Sequence, residues 1–153
     1  MNDILKIDGS FTIDLLRDGQ IVEHREVVNT ITNAGKAEIA NLAGNVSTPA
    51  AFTYIAVGIG TTAANAADTT LESEIVDSGL ERASATVSRV TTTVTNDTLQ
   101  LVKSFSVTGT KAVTEVGALN ASSSGVLLGR QVFSAVNVVS GDTLAITYKF
   151  KFA

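Results

Sequence analysis

The sequence predicts a mainly β protein, an antiparallel β-sandwich or jelly-roll-like fold of about eight strands, with one or two short helices in the N-terminal half. Three observations predict this. Stretches of strand length rich in Val, Ile and Thr recur along the chain, turn signals separate them, and the last stretch alternates apolar and polar residues with a period of two. A chain of 153 residues is long enough for one such domain to bury a core.

The first element is a hairpin. Apolar and polar residues alternate over 11–16, and Asp18 and Gly19 then supply the positive φ values that a tight hairpin turn requires. The second strand follows over 21–28. We therefore predict a single domain over 11–153.

A short helix and a buried strand come next. The stretch "NTITNAGKAEIANLAGN" predicts a helix capped by Asn33 and ended by Gly44. The apolar run over 51–59 predicts a strand that is covered on both faces. After it, "TTLESEIVD" predicts one or two helical turns that begin at Thr69 or Thr70, with acidic residues near the start.

From Leu80 onward the pattern is entirely β. A Thr-rich stretch reaches a turn at Asn96-Asp97, two further strands join across 121–125, and another turn lies at 140–142. The stretch over 143–153 alternates most clearly, which predicts a strand with one face in the core.

Composition bounds the function. Without cysteine, disulfides and thiol chemistry are excluded, and with a net charge of -4 and scattered Lys and Arg we expect no direct nucleic-acid binding. The sequence shows neither a secretory signal nor an apolar stretch of about 20 residues, so we expect no membrane partner and a protein that is soluble in the cytoplasm where it is made. Charged residues are only 17%, against about 25% in typical domains. Because so neutral a surface is often covered, we expect a homo-oligomer or assembly subunit; the alternative is a monomer with a Thr-rich β surface.

Three patterns could carry chemistry, and each has a simpler interpretation. Gly58, Gly60 and Ala63 match a dinucleotide fingerprint, but no long helix follows them, so we interpret them as a bend where backbones approach closely. His24 lacks a nucleophile motif and is interpreted as a surface or interface residue. We therefore predict no catalytic residue, no cofactor and no enzyme activity.

The third pattern is an acidic cluster. Asp68, Glu72, Glu74 and Asp77 could serve a glycosidase or bind calcium, but their spacing matches no EF-hand loop, and the chain has few aromatic residues for a glycan platform. We interpret them as acids at a helix N-terminus and predict no metal site.

Isolated arginines in neutral strands predict pairing at an interface. Arg82, Arg89 and Arg130 fit this description, and Arg130, inside an apolar strand, is the best candidate. We also predict that residues 1–10 form an N-terminal arm that lies on a neighbour. The predicted interface residues are Ile4, Leu5, Gly58, Gly60, Asn65, Arg82 and Arg130.

Nearly the whole chain, from about Phe11 to Phe152, resembles a group of small virion proteins of tailed bacteriophages. The resemblance lies in an N-terminal hairpin, in "NTITNAGKAEIANLAG", in the strand motif Y-x-A-V-G-x-G-T, in E-x-G-x-x-N-A and in the final S-G-D-T-L-x-I-x-Y. Ala118 departs from the pattern, where we expect a larger apolar residue. The resemblance implies a virion structural component without enzyme activity.

The expected function is therefore structural. We expect a capsid decoration (cement) protein, which binds the outer capsid as an oligomer, in particular a homotrimer, and stabilises the shell. Its partners would be other copies of itself and the major capsid protein or other virion proteins, and it would reside in the virion after synthesis in the host bacterial cytoplasm. The alternative is a structural component of the tail, baseplate or fibre. A small hydrolase or lyase is a third class, for which the sequence offers no supporting constellation.

Overall fold

The computed structural model describes residues 4–153 and shows a β-sandwich of two antiparallel five-stranded sheets, which confirms the predicted fold class. Within these residues ten strands form instead of about eight, because two short pairings of two residues each add to the longer strands. The elements are β1 (Ile7–Arg17), β2 (Gln20–Val28), β3 (Thr30–Ile31), α1 (Asn33–Gly44), β4 (Tyr54–Gly58), β5 (Ala83–Ser84), β6 (Thr86–Val90), β7 (Thr98–Ser106), β8 (Lys111–Leu119), β9 (Leu127–Val138) and β10 (Thr143–Phe152).

Runs of one to three consecutive strands lie in one sheet before the chain crosses to the other. Sheet A has the order β2-β1-β10-β7-β6, and sheet B has the order β3-β9-β8-β4-β5. The chain crosses between the sheets after β2, β5, β7 and β9. As a result β10, the last strand, lies in the middle of sheet A between β1 and β7.

The core lies between the sheets and is built by period-two alternation. In β10 the residues Leu144, Ile146, Tyr148 and Phe150 are buried, as the sequence predicts, and their neighbours Ala145, Thr147 and Lys149 are at least partly exposed. Tyr148 stacks on Phe11 of β1 with ring centroids 4.3 Å apart. Ala118, the departure from the resemblance, is fully buried in this core.

The predicted turns form where the sequence places them. Asp18 and Gly19 have φ values of 52° and 77°, which the turn between β1 and β2 requires, and a Cβ atom on Gly19 would meet nothing within 4 Å. Asn96 also has a positive φ of 60°. The Asp97 carboxylate accepts hydrogen bonds from the N–H groups of Thr92, Thr93 and Val94, and so holds that turn closed.

Helix α1 forms as predicted, but its caps are each displaced by one residue. Thr32, and not Asn33, is the N-cap, because its backbone is extended at the end of β3 and its hydroxyl accepts a hydrogen bond from the Gly35 N–H at 2.8 Å. Gly44 is the last helical residue, and Asn45 provides the left-handed C-cap with φ 50°.

The second predicted helix, over 69–77, does not form. Its backbone instead pairs with the part of the β4 edge that β5 leaves open, where the Ile59 N–H donates to Ser73 and the Ile75 N–H donates to Val57. The pattern of acidic and apolar residues therefore reflects sheet-edge contacts and side-chain pairing, and not a helical face.

The predicted N-terminal arm is shorter than 1–10. β1 begins at Ile7, so residues 7–10 pair with β10, and Gly9 lies opposite Phe150. Ile4 and Leu5 remain outside the strand, and residues 1–3 lie outside the described part of the chain.

Candidate functional site

A long segment between β4 and β5, residues 59–82, covers the outer face of sheet B. Leu71 from this segment packs with Ala56, Leu119 and Leu127 in an apolar cluster separate from the core between the sheets. Gly117 leaves the room that this needs, because a Cβ atom there would lie 2.5 Å from the Leu71 side chain. Sheet B is therefore covered on its outer face by the chain itself.

Arg130 of β9 fixes this segment by ion pairing. Its guanidinium is 3% exposed and pairs with Glu115 of β8 at 2.8 Å and with Asp68 at 2.9 Å, and it lies 3.5 Å from Glu72. It also donates to the Thr62 carbonyl at 3.0 Å. One arginine thus joins two strands of sheet B to three points of the covering segment.

We define the arginine cluster as Arg130, Glu115, Asp68 and Glu72. Glu115 lies at its centre. The Glu115 side chain is fully buried and accepts hydrogen bonds from the N–H groups of Gly60, Glu72 and Ser73 at 2.7–3.0 Å. Such a charge is stable in the interior only when its oxygens are satisfied in this way.

The Glu115 carboxylate leaves no room for a side chain at the two glycines of the dinucleotide-like pattern. Cβ atoms on Gly58 and Gly60 would lie 2.4 Å and 2.6 Å from the Glu115 Oε1 atom. The predicted close approach of backbones is found at Gly58, where a Cβ atom would lie 2.5 Å from the Ser73 carbonyl oxygen, whereas at Gly60 the nearest atoms belong to side chains.

The charges in the cluster reinforce one another. Burial by itself would lower the pKa of Arg130, but hydrogen bonds to Glu115 and Asp68 outweigh it and raise that pKa. Hydrogen bonds from the Thr62 backbone and hydroxyl lower the pKa of Glu72. The charged forms of Arg130 and Glu72 are therefore favoured, and the contacts of the cluster hold the covering segment on sheet B.

The remaining acids of the predicted cluster are paired separately. Glu74 pairs with Arg82, which also donates to the carbonyls of Ala121 and Ser124 and so joins the covering segment to the β8–β9 loop. Asp77 pairs with Lys111 at 2.8 Å. Within residues 4–153, no group of three or more His, Asp or Glu side chains is arranged to hold a metal ion.

These contacts correct four of the predicted interface residues. Gly58, Gly60 and Arg130 are buried inside the protein, and the Arg82 side chain is only 9% exposed. Their polar groups are satisfied by the same chain, so a lone arginine in an apolar strand here indicates an internal ion pair. Asn65 is exposed, but its side chain accepts a hydrogen bond from the Ala67 N–H within its own turn.

His24 lies on the exposed face of β2, as its interpretation as a surface residue predicted. Its ring contacts Asp14 on β1 and lies 3.6 Å from Glu26. The hydrogen bond with Asp14 raises the pKa of His24. These two carboxylates stabilise the imidazolium form of His24. Neither of them is a hydroxyl nucleophile that the histidine could activate.

An apolar groove lies at the end of the sandwich where β10 ends. It has a volume of about 460 Å³, and all nine residues that line it are apolar. Helix α1 contributes Ile39, Leu42 and Ala43, and β10 contributes Phe150 and Phe152. Leu5, from the segment before β1, lies at its rim and is 67% exposed, and its neighbour Ile4 is 86% exposed.

The long edge strand of sheet A is guarded by charges. On β2, Glu23 and Arg25 lie on the inward side, opposite Leu15 and Ile13, and pair with each other at 2.9 Å. Inward-pointing charges on an edge strand disfavour pairing with a strand of another molecule. The groove, and not this edge, is therefore the candidate binding surface.

Comparison with known proteins does not assign the chain to a family. Family models, curated proteins and solved structures were each searched, and none of them matches. Among the described residues, no helix is long and apolar enough to cross a membrane.

Sequence reasoning predicted Ile4 and Leu5 at an interface, and the structure shows that both are exposed, but it missed Glu115 and the groove. Glu115 directly precedes the apolar run over 116–119 in β8, and a carboxylate next to such a run is a usable signal of a buried charge with a partner. The groove had no such signal, because its residues come from six separate parts of the chain.

Proposed function

We propose that this chain is a structural protein of a bacteriophage virion, a capsid decoration protein that binds the outer shell as a homo-oligomer, in particular a trimer. The observation that carries the proposal is the open apolar groove next to Ile4 and Leu5. Solvent-exposed apolar surface of this kind favours association with a protein surface.

The arrangement of charges supports a structural role over a catalytic one. Arg130 and Arg82 are engaged by carboxylates and carbonyls of the same chain, and Glu115 is shielded from solvent. Groups held this firmly contribute to a rigid β-sandwich, whereas a catalytic acid or base must reach a substrate. A rigid module with an apolar surface is suited to bridging neighbouring subunits.

The mechanism of stabilisation would be additive. A stable contact between proteins buries about 1,600 Å². If each oligomer makes such contacts with several shell subunits, the free energy of separating those subunits rises without covalent links. The resemblance of the sequence to small tailed-phage virion proteins supports the same function.

Immunogold labelling of intact particles tests the location. We expect label distributed over the head. Label confined to the tail would contradict the decoration proposal and favour a tail, baseplate or fibre component.

Particles that lack this protein provide a test of the role. A decoration protein predicts heads that release DNA at lower temperature, and adding the purified protein back should restore heat resistance. Heads that remain intact but fail to infect would contradict the proposal.

A further inference from the structure

The chemistry of the groove defines what it can hold. Its lining offers aliphatic and aromatic carbon from α1, β7, β9 and β10, with no charged or amide side chain. A sugar, a nucleotide or a charged peptide would lose hydrogen bonds with water there and gain none in return. Aliphatic side chains fit this surface, and the volume of about 460 Å³ is enough for more than one of them.

The chain carries a suitable apolar segment at the mouth of the groove. Lys6 exchanges two backbone hydrogen bonds with Ala153, so the segment that precedes it is fixed beside the end of β10. Ile4 and Leu5 are the two residues of this segment that the structure describes, and both are largely exposed. Two adjacent aliphatic side chains are thus held in water close to an unfilled apolar surface.

Alternation explains why a single chain does not bury both side chains in its own groove. In β1 the odd-numbered residues Phe11, Ile13 and Leu15 face the core. Leu5 lines the groove, as this alternation predicts, whereas Ile4 is not among the lining residues and is 86% exposed. The Ile4 side chain therefore remains exposed and accessible to a second copy.

We propose that the groove beside α1 receives the Ile4 side chain of a second copy of this chain, so that N-terminal segments are exchanged between neighbouring copies. This inference rests on the homo-oligomer part of the proposed function, and it is independent of the virion. The guarded edge of β2 supports it, because Glu23 and Arg25 disfavour the alternative in which copies join by extending sheet A at β2. The segment and the groove match in polarity and lie at the same end of the sandwich.

Cysteine cross-linking tests the exchange directly, because the natural chain contains no cysteine. One variant carries Ile4→Cys, and a second, with an affinity tag that changes its mass, carries Ala43→Cys in the groove. The two are mixed, equilibrated and oxidised. We expect a disulfide-linked product that contains one tagged and one untagged chain, whose mass is about twice the 15.8 kDa of a single chain.

The matched control pairs Ile4→Cys with Val139→Cys. Val139 is also an exposed apolar residue, but it follows β9 at the opposite end of the sandwich. The exchange predicts at least tenfold less mixed product for this pair. Equal yields for the two pairs would overturn the proposal, as would a double variant, Ile4→Cys with Ala43→Cys, that forms its disulfide only within one chain.

Sedimentation velocity on the cysteine-free chain gives an independent measurement. Ile4→Asp should weaken self-association about 10- to 100-fold, the range expected when one aliphatic side chain is no longer buried, and Val139→Asp should not. An Ile4→Asp variant that associates like the natural chain would overturn the exchange but leave the homo-oligomer intact. A natural chain that is monomeric at every concentration would overturn both, and neither result bears on the virion location.

Discussion

At the scale of single residues, the buried Glu115–Arg130 pair has the largest consequence. Glu115 is fully buried and Arg130 nearly so, and five backbone N–H groups of the covering segment donate to the carboxylates around the arginine. Removing one member of such a pair leaves the other as an uncompensated charge. The cluster therefore determines whether residues 59–82 stay on sheet B.

Arg130→Ala is expected to destabilise the protein by about 3–5 kcal/mol, because it leaves the Glu115 carboxylate buried without its counter-charge. Urea denaturation measures the free energy of unfolding. The control is Arg25→Ala, which removes a single arginine–carboxylate pair that is partly exposed and should cost about 1 kcal/mol or less. Similar losses for the two variants would show that the cluster does not stabilise the fold.

Asp142 makes the free energy of unfolding depend on pH in the acid range. Arg17 donates two hydrogen bonds to its carboxylate, at 2.7 Å and 2.8 Å, and the Val139 N–H donates a third. These bonds, chiefly those from Arg17, lower the pKa of Asp142 to about 2. Unfolded aspartate has a pKa of about 3.9, so between these values the unfolded chain takes up a proton that the folded chain does not.

The contribution of Asp142 to stability is therefore fully present above about pH 4 and is lost as the pH falls toward 2. We expect Asp142→Asn to lower the melting temperature clearly at pH 6 and only slightly near pH 2. Thermal unfolding followed by circular dichroism at a series of pH values gives this difference. A difference that stays constant over the whole series would contradict the proposed linkage.

At the scale of elements, helix α1 shows how closely the helix packs on sheet B. Gly35 lies in its first turn, and a Cβ atom there would lie 2.7 Å from the Leu128 carbonyl oxygen of β9. Gly44 lies in its last turn, where a Cβ atom would meet only the flexible Val46 side chain at 3.1 Å. Close packing thus requires glycine in the first turn of the helix. It does not require glycine in the last turn.

Substitution of these two glycines by alanine should have opposite effects. Gly44→Ala is expected to stabilise the protein by about 0.5–1 kcal/mol, because alanine loses less backbone entropy in a helix. Gly35→Ala should destabilise it, because the backbone of β9 must move. Free energies of unfolding from urea titration give both signs, and two changes of the same sign would contradict this account of the packing.

Local patterns in the sequence were sufficient to predict some elements and not others. The hairpin of β1 and β2, the buried strand β4 and the alternating β10 follow from periodicity and turn residues, which act over a few positions. The 69–77 segment misled the prediction because its acids are paired by Arg130 and Arg82, both distant in sequence. Similarly, Arg130 was predicted at an interface because nothing near it in sequence indicates Glu115 and Asp68 as partners.

At the scale of the whole molecule, the sandwich and the exposed N-terminal segment are separable. β1 begins at Ile7 and its pairing with β10 does not involve Ile4 or Leu5. A variant that lacks residues 1–5 should therefore fold, with a melting temperature close to that of the natural chain, but should lose self-association. Circular dichroism and sedimentation velocity measure the two properties, and a truncated chain that unfolds would contradict the separation.

The position of β10 affects how the protein can be made. Among the strands of the two sheets β10 is synthesised after all the others, yet β1 and β7 pair with it on either side. A nascent chain that has not reached residue 143 has two apolar strand edges and one face of a future core without cover. Sheet A can therefore close only after β10 has been synthesised, and until then its unpaired strand edges favour aggregation.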